Sequence, residues 1–209
     1  MKNEPDFWSK IAPSYAKRPI SNEQAYEQTL DRIIANLPDR AKVLEIGCGT
    51  GGTALRLAAH AKEVIATDFS EGMIAEAVKR APASNVVFKR AEVFDAFLKG
   101  ESFDAVIALN MLHLVPEAPK VMARVHDLLR PKGFFISKTP SIDEPGLGLK
   151  FGLMKLAIPL MQKLGKAPYV RRYKFAQLEQ EITSAGFAII ETGNYPVRPP
   201  NHFVVAQKA

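Results

Sequence analysis

The sequence predicts an α/β fold: a doubly wound sheet, mostly parallel, with an antiparallel C-terminal strand. Three observations point there. Between residues 42 and 138, short apolar runs alternate with helical stretches. Alternation of this βαβα kind sets strands parallel and places helices on both faces. The first run leads straight into a glycine-rich turn, VLEIGCGTGGT at 43–53, and a tight turn from strand into helix leaves free N–H groups facing a ligand. The last two apolar runs, 187–192 and 202–207, are joined by NYPVRPPN. That link is too short for a helical crossover, so the two are expected as antiparallel neighbours.

The elements follow in order. Residues 1–40 read as a helical N-terminal cap. Trp8, Ile11 and Tyr15 recur at helical spacing, interrupted at Pro13, and a second helix is expected over Asn22–Asn36 with Tyr26, Leu30, Ile33 and Ile34 on one side. Lys42–Ile46 is a strand, Thr53–His60 a helix and Glu63–Thr67 a strand. Ser70 is placed to cap a helix over Glu71–Arg80. Strands are expected at Val86–Phe88, Phe103–Leu109 and Gly133–Lys138, with a helix over Glu117–Leu129 stopped by Pro131 and Gly133. Residues 140–174 interrupt the rhythm as a helical insertion after the fifth strand, and Phe175–Ala185 is the last helix. The 209 residues suit one domain across 1–209.

Composition removes several classes. Apolar residues make up 47% and charged residues 24%, as in ordinary globular proteins. No run of about 18 apolar residues exists, so no spanning helix is expected, and MKNEPDFWSK is too polar for a signal peptide. A cytoplasmic location follows. Cys48 is the one cysteine, which excludes an internal disulfide, a cysteine zinc site and dithiol redox chemistry. No metal-ligand spacing such as HxxxH occurs. The net charge of +6 is concentrated: between Pro145 and Leu178 there is no Asp or Glu, but there are Lys150, Lys155, Lys163, Lys166, Arg171, Arg172 and Lys174.

The glycine turn admits two readings. Gly47, Gly49 and Gly52 make GxGxxG, a dinucleotide fingerprint. Glu45, Gly47, Gly49 and Gly51 make ExGxGxG. Asp68 ends the second strand, about twenty residues on, where a carboxylate accepts both ribose hydroxyls of an adenosine. Glu45 separates the readings. A carboxylate beside the turn repels a pyrophosphate but attracts an ammonium. S-adenosylmethionine carries adenosine at one end and an amino-acid ammonium at the other, matching Asp68 and Glu45.

Four blocks in order, VLEIGCGTGGTA, IATDFSEGMIAEA, FDAVIALNMLHLVPE and LLRPKGFFIS, resemble the class I S-adenosylmethionine-dependent methyltransferases over roughly residues 40–140. The tail FAQLEQEITSAGFAIIETGN is similar to that family's last helix and strand. The resemblance implies a Rossmann-like fold, S-adenosylmethionine as cofactor and S-adenosylhomocysteine (SAH) as product. It also implies roles. Gly47, Cys48, Gly49 and Gly51 would line the methionine end, with Glu45 at its ammonium and Asp68 on the ribose. Phe69 and Met73 would pack near the adenine. The family has Asp before Ala at the adenine edge; this chain departs, with Arg90 before Ala91, and Glu92 stands as the substitute. Asn110, ending the fourth strand, would face cofactor and acceptor, and Tyr15 would cover the cofactor from the N-terminal cap.

A base is needed only if the acceptor loses a proton. His113, in NMLHLVP, is the candidate general base, against a histidine bonded to loop backbone. Trp8, Tyr15, His113, Met154, Tyr169 and Tyr173 are the candidate acceptor contacts. In the insertion, Leu153, Met154, Ala157, Leu160, Met161 and Leu164 share one face of a basic amphipathic helix, kinked or split at Pro159. That face suits a lid over a hydrophobic acceptor, a weak contact with an anionic membrane surface through 147–172, or plain core packing. The leading expectation is methyl transfer to oxygen, nitrogen or carbon of a small, largely apolar acceptor, by a monomer or homodimer. Alternatives are a lipid or quinone methyltransferase at a membrane surface and a non-catalytic cofactor-binding partner protein. A nucleic-acid partner is not expected, because no basic-aromatic platform is present.

Overall fold

The structure is a computed structural model and describes residues 4–80, 83–164 and 167–209. Two helices, α1 (Glu4–Ala16) and α2 (Glu23–Ala35), precede β1 (Lys42–Ile46). Then come α3 (Gly52–Leu57), β2 (Glu63–Asp68), α4 (Glu71–Lys79), β3 (Val86–Arg90) and β4 (Phe103–Leu109). The second half comprises α5 (Ala118–Leu128), β5 (Leu129–Pro140), α6 (Leu149–Lys163), α7 (Phe175–Ser184), β6 (Phe187–Asn194) and β7 (Asn201–Lys208). Seven strands form one sheet in the order β3-β2-β1-β4-β5-β7-β6. All pairs are parallel except those of β7, which runs antiparallel to both β5 and β6.

Apolar alternation on the strands builds two cores, one per face. Leu44, Ile46, Val106 and Phe135 pack with Leu128, Leu178 and Ile182 from α5 and α7. Val43, Ile107, Ile136 and Phe203 pack with Leu30, Ile33 and Leu57 from α2 and α3. Each such side chain, once buried, stabilises the fold by about 1.5–3 kcal/mol relative to exposure. The strand order reverses between β1 and β4, which opens a crevice at the carboxyl ends of those strands.

Several boundaries differ from expectation. Helix α1 runs through Pro13 rather than stopping there, and the proline leaves the Ser9 carbonyl without its i+4 amide donor. Strand β5 begins at Leu129, before Pro131 and Gly133: Leu129 pairs with Phe103, and the ladder resumes at Phe134 opposite Ala105 after a register shift. The shift lets the strand carry a proline that donates no ladder bond. Helix α6 is continuous through Pro159. Its orientation also departs from a lid. Phe151, Lys155, Ile158 and Gln162 form the half-buried side, whereas Leu153, Leu160, Met161 and Leu164 point outward. Polar contacts hold the inner side: Lys155 pairs with Asp143 at 2.8 Å and Gln162 Nε2 donates to the Pro168 carbonyl at 2.9 Å.

Candidate functional site

The site is assembled at the carboxyl ends of β1, β2 and β4. After Ile46 the chain passes through Gly47, Gly49 and Gly51, with φ of 69°, 54° and 78°. Residues with a Cβ rarely adopt these angles. The three glycines have different surroundings. A Cβ on Gly47 would stand 2.8 Å from Met111 Cβ, and one on Gly51 would stand 2.6 Å from the Phe88 ring. Protein fills both positions. At Gly49 an added Cβ meets nothing within 4 Å, so only there does the loop present bare backbone to open space.

Asp68 ends β2 beside that opening. Its Oδ2 accepts from the Gly49 amide and its Oδ1 from the Ser70 amide, both at 2.9 Å. Each oxygen keeps a lone pair for a further donor. Burial raises its pKa, while the two amide bonds act against the rise. Glu45 lies deeper, 2% exposed. The Ala54 amide bonds its carboxyl, yet Oε2 has no hydrogen-bond partner among the described residues. Burial first, then the charge of Asp68, pushes the Glu45 pKa up to about 8. A buried carboxyl oxygen without a partner carries a cost that a donor on a ligand would remove. Open space at Gly49, Asp68 with spare acceptors and Glu45 awaiting a donor fit a ligand with ribose hydroxyls and an ammonium group.

Around this centre, Met73 and Ala91 are buried, Phe69 is half-buried and Glu92 is exposed. The Ala91 amide donates to the Asp68 carbonyl at 3.0 Å, which ties the β3 end to the ribose position. Arg90 donates to the Phe69 carbonyl and reaches Glu71. Cys48 is buried and its thiol pKa is raised by burial and by the two carboxylates, an environment that keeps it unreactive. Asn110, at φ 55°, closes β4; its amide donates to the Lys138 carbonyl at 2.7 Å and its Oδ1 accepts from Asn201 at 2.8 Å.

The N-terminal cap reaches the same place. Ser9 Oγ lies 3.0 Å from Ser70 Oγ and accepts from the Gly72 amide at 3.2 Å. A Cβ on Gly72 would stand 2.7 Å from the Ser9 backbone, so the glycine admits α1 onto α4. Trp8 is half-buried, stacked edge-on against Phe7, and Tyr15 is exposed.

His113 follows β4 in a short turn, half-buried, with its carbonyl accepting from the Arg171 amide at 2.6 Å. Its Nδ1 has no partner among the described residues, and burial lowers its pKa to about 4. Tyr169 is half-buried. Tyr173 is fully buried in the core and donates to Glu181 at 3.0 Å, with the Arg171 guanidinium over its ring. The Met154 side chain lies outside the described residues. The sequence reading passed over Met111, Gly72 and Lys138. A lysine inside the apolar run FFISKTP was the available signal for Lys138.

A demethylmenaquinone methyltransferase of Clavibacter sepedonicus is 30% identical over 189 residues, 84% of this chain and 76% of that protein. The chain belongs to the class I S-adenosylmethionine-dependent methyltransferases. A family described as "Methyltransferase domain" matches residues 43–133, the span from β1 into β5 that holds the glycine loop, Asp68, Ala91 and Asn110. A 27-O-demethylrifamycin SV methyltransferase of Amycolatopsis mediterranei is 36% identical over 119 residues, 53% of this methyltransferase but 43% of that protein. Among solved structures, an S-adenosylmethionine-dependent methyltransferase from Mesorhizobium loti superposes with a TM-score of 0.70 at 21% identity, covering 88% and 98% of the two chains. Magnesium protoporphyrin IX methyltransferase from Synechocystis PCC 6803, with bound SAH, gives 0.69 at 23% identity, covering 98% and 94%. Both likenesses show the fold. No helix among the described residues is long and apolar enough to cross a membrane.

Proposed function

We propose that this methyltransferase moves a methyl group from S-adenosylmethionine to oxygen, nitrogen or carbon of a small, largely apolar acceptor. The loop after β1 carries the reading: protein fills Gly47 and Gly51, Gly49 opens to solvent, and Asp68 and Glu45 stand by it with unused acceptors. In this reading Asp68 takes the ribose hydroxyls and Glu45 the ammonium. Gly47, Cys48, Gly49 and Gly51 line the amino-acid end, and Phe69, Met73, Ala91 and Glu92 the adenine. Asn110 and Tyr15 close the site from β4 and α1. Residues 1–40 are a cap, and 140–174 an insertion, of one methyltransferase domain.

The bound cofactor supplies an electrophilic methyl carbon. The chain supplies alignment, which for an in-line displacement is most of the catalysis. His113 is neutral above about pH 4, so it can accept a proton from a hydroxyl acceptor that reaches its ring. Trp8, Tyr169 and Met154 are the proposed apolar surroundings of the acceptor; Tyr173, expected there from the sequence, is instead sealed in the core with its hydroxyl on Glu181. The relatives named for demethylmenaquinone and demethylrifamycin support a small organic acceptor. A lipid or quinone acceptor met at a membrane surface is a second reading, favoured by the outward apolar face of α6.

The test is methyl-labelled S-adenosylmethionine with a panel of phenols, quinols, amines and carboxylates, alongside calorimetry of cofactor binding. Binding and transfer to at least one apolar acceptor are expected. Binding with no transfer across the panel would favour a non-catalytic partner protein, and no binding would overturn the reading.

A further inference from the structure

Helix α6 presents an apolar face to solvent. Leu153, Leu160, Met161 and Leu164 are 59%, 62%, 42% and 59% exposed. At 100° per residue these side chains, with exposed Ala157, fall on one side of the helix. The opposite side is already occupied: Lys155 is held by Asp143 and Gln162 by the Pro168 carbonyl. Turning the helix to bury its leucines would break both contacts. Three leucines and a methionine on one helical stripe are more than the singly scattered apolar residues of an ordinary surface.

The surrounding charge says what could cover it. From Gly146 to Leu178 the chain has seven cationic residues and no carboxylate, against a net +6 for all 209 residues. Lys155 and Arg172 share Asp143 and Arg171 pairs with Glu181, while Lys163, on the flank of the stripe, and Lys174 are exposed with no ion pair among the described residues. A second copy of this chain would bring two such segments together, which like charge opposes. A surface of lipid with anionic headgroups meets both demands, since it takes apolar side chains below the headgroup level and cations at it. At about 1.5 Å per residue, a 15-residue helix lies along such a surface and is too short to cross it.

We infer that α6 is a membrane-docking helix, which seats this methyltransferase on an anionic bilayer through Leu153, Leu160, Met161 and Leu164. The helix follows β5, whose Pro140 end lies at the carboxyl edge of the sheet, the same edge at which the Gly49 loop opens. Docking so placed lets an apolar acceptor pass from lipid to the site. That last step rests on the proposed function; the docking itself does not.

The experiment uses the full chain in flotation with vesicles of phosphatidylcholine alone or with about 30% phosphatidylglycerol, at low and high salt. Binding to the anionic vesicles is expected, weakened by salt and reduced at least tenfold in a Leu160→Glu, Leu164→Glu variant. Both positions are exposed, so the variant should melt as the parent does and bind S-adenosylmethionine with parental affinity. No binding to anionic vesicles, or equal binding by the variant, would overturn the inference. So would a concentration-dependent dimer dispersed by the same two substitutions, which would assign the face to a second copy. Because cofactor affinity is measured separately, loss of docking and failure of the methyltransferase reading give different results.

Discussion

The Gly49 amide donates to Asp68 Oδ2 at 2.9 Å. The carboxylate that ends β2 thus also shapes the loop that follows β1. Replacing Asp68 with Ala should act twice. Cofactor binding should weaken by about 1.5–3 kcal/mol, the scale of lost charge-assisted hydrogen bonds, and two backbone amides lose an acceptor at about 1 kcal/mol each. Calorimetry and thermal melting separate the effects; unchanged affinity would remove Asp68 from the site.

Gly51 and Gly49 should part company under the same substitution. Gly51→Ala drives a methyl to 2.6 Å from the Phe88 ring at φ 78°, and overpacking plus left-handed strain should cost about 2–4 kcal/mol of stability. Gly49→Ala meets no protein atom within 4 Å, so it should cost only the strain, about 1–2 kcal/mol. Its larger effect should be on cofactor affinity. Equal melting losses in the two variants would contradict the open space at Gly49.

With its pKa near 8, Glu45 is largely protonated at pH 7 in the free protein. An ammonium partner requires the carboxylate. Cofactor binding below pH 8 should therefore release up to about one proton, and affinity should rise with pH toward 8. Titrations in two buffers of different ionisation enthalpy measure the release. Glu45→Gln should abolish it.

His113 should show an unusual acid limb if it serves as base. Its free-enzyme pKa of about 4 puts the fall in kcat/KM near pH 4, well below the usual histidine range. His113→Ala should slow transfer by about 10²-fold or more with cofactor affinity kept. Turnover equal to the parent would leave His113 a purely structural residue.

Lys138 Nζ donates to Thr29 Oγ1 at 3.0 Å, with no carboxylate paired to it among the described residues. Burial lowers its pKa from 10.5 to about 8. Between those values the unfolded chain holds the extra proton, so stability from this group rises with pH. Its cost is full below pH 8 and gone above 10.5. Lys138→Met should thus gain on the order of 1–3 kcal/mol at pH 7, with the gain fading by pH 10.5. A gain independent of pH would refute the assignment.

Much of the sheet was legible because strands buried on both faces read as apolar runs: β1, β2 and β4 stand where the pattern put them, and Ser70 caps α4 by accepting from Met73. The start of β5 was not legible, since Pro131 and Gly133 look like breakers and the register shift that accommodates them is a pairing property. The wheel of α6 shows which residues share a face, but the partners that hold its inner side, Asp143 and the Pro168 carbonyl, are tertiary contacts that no periodicity reports. For the glycines the motif was visible, yet the difference between filled Gly47 and open Gly49 depends on Met111, a residue that arrives from the far side of the strand reversal.

The position of β7 between β5 and β6 has a consequence for the order of folding. Strands β3, β2, β1 and β4 can pair with one another in chain that ends at Leu109, whereas β4 waits for β5, and β5 keeps a bare edge until residues 201–208 arrive. Late, long-range pairing of this kind is slow and leaves sticky strand edges exposed meanwhile. The cofactor half of the sheet can thus be born ahead of its neighbour, and a ligand held by β1 and β2 would have a place to act as a folding template.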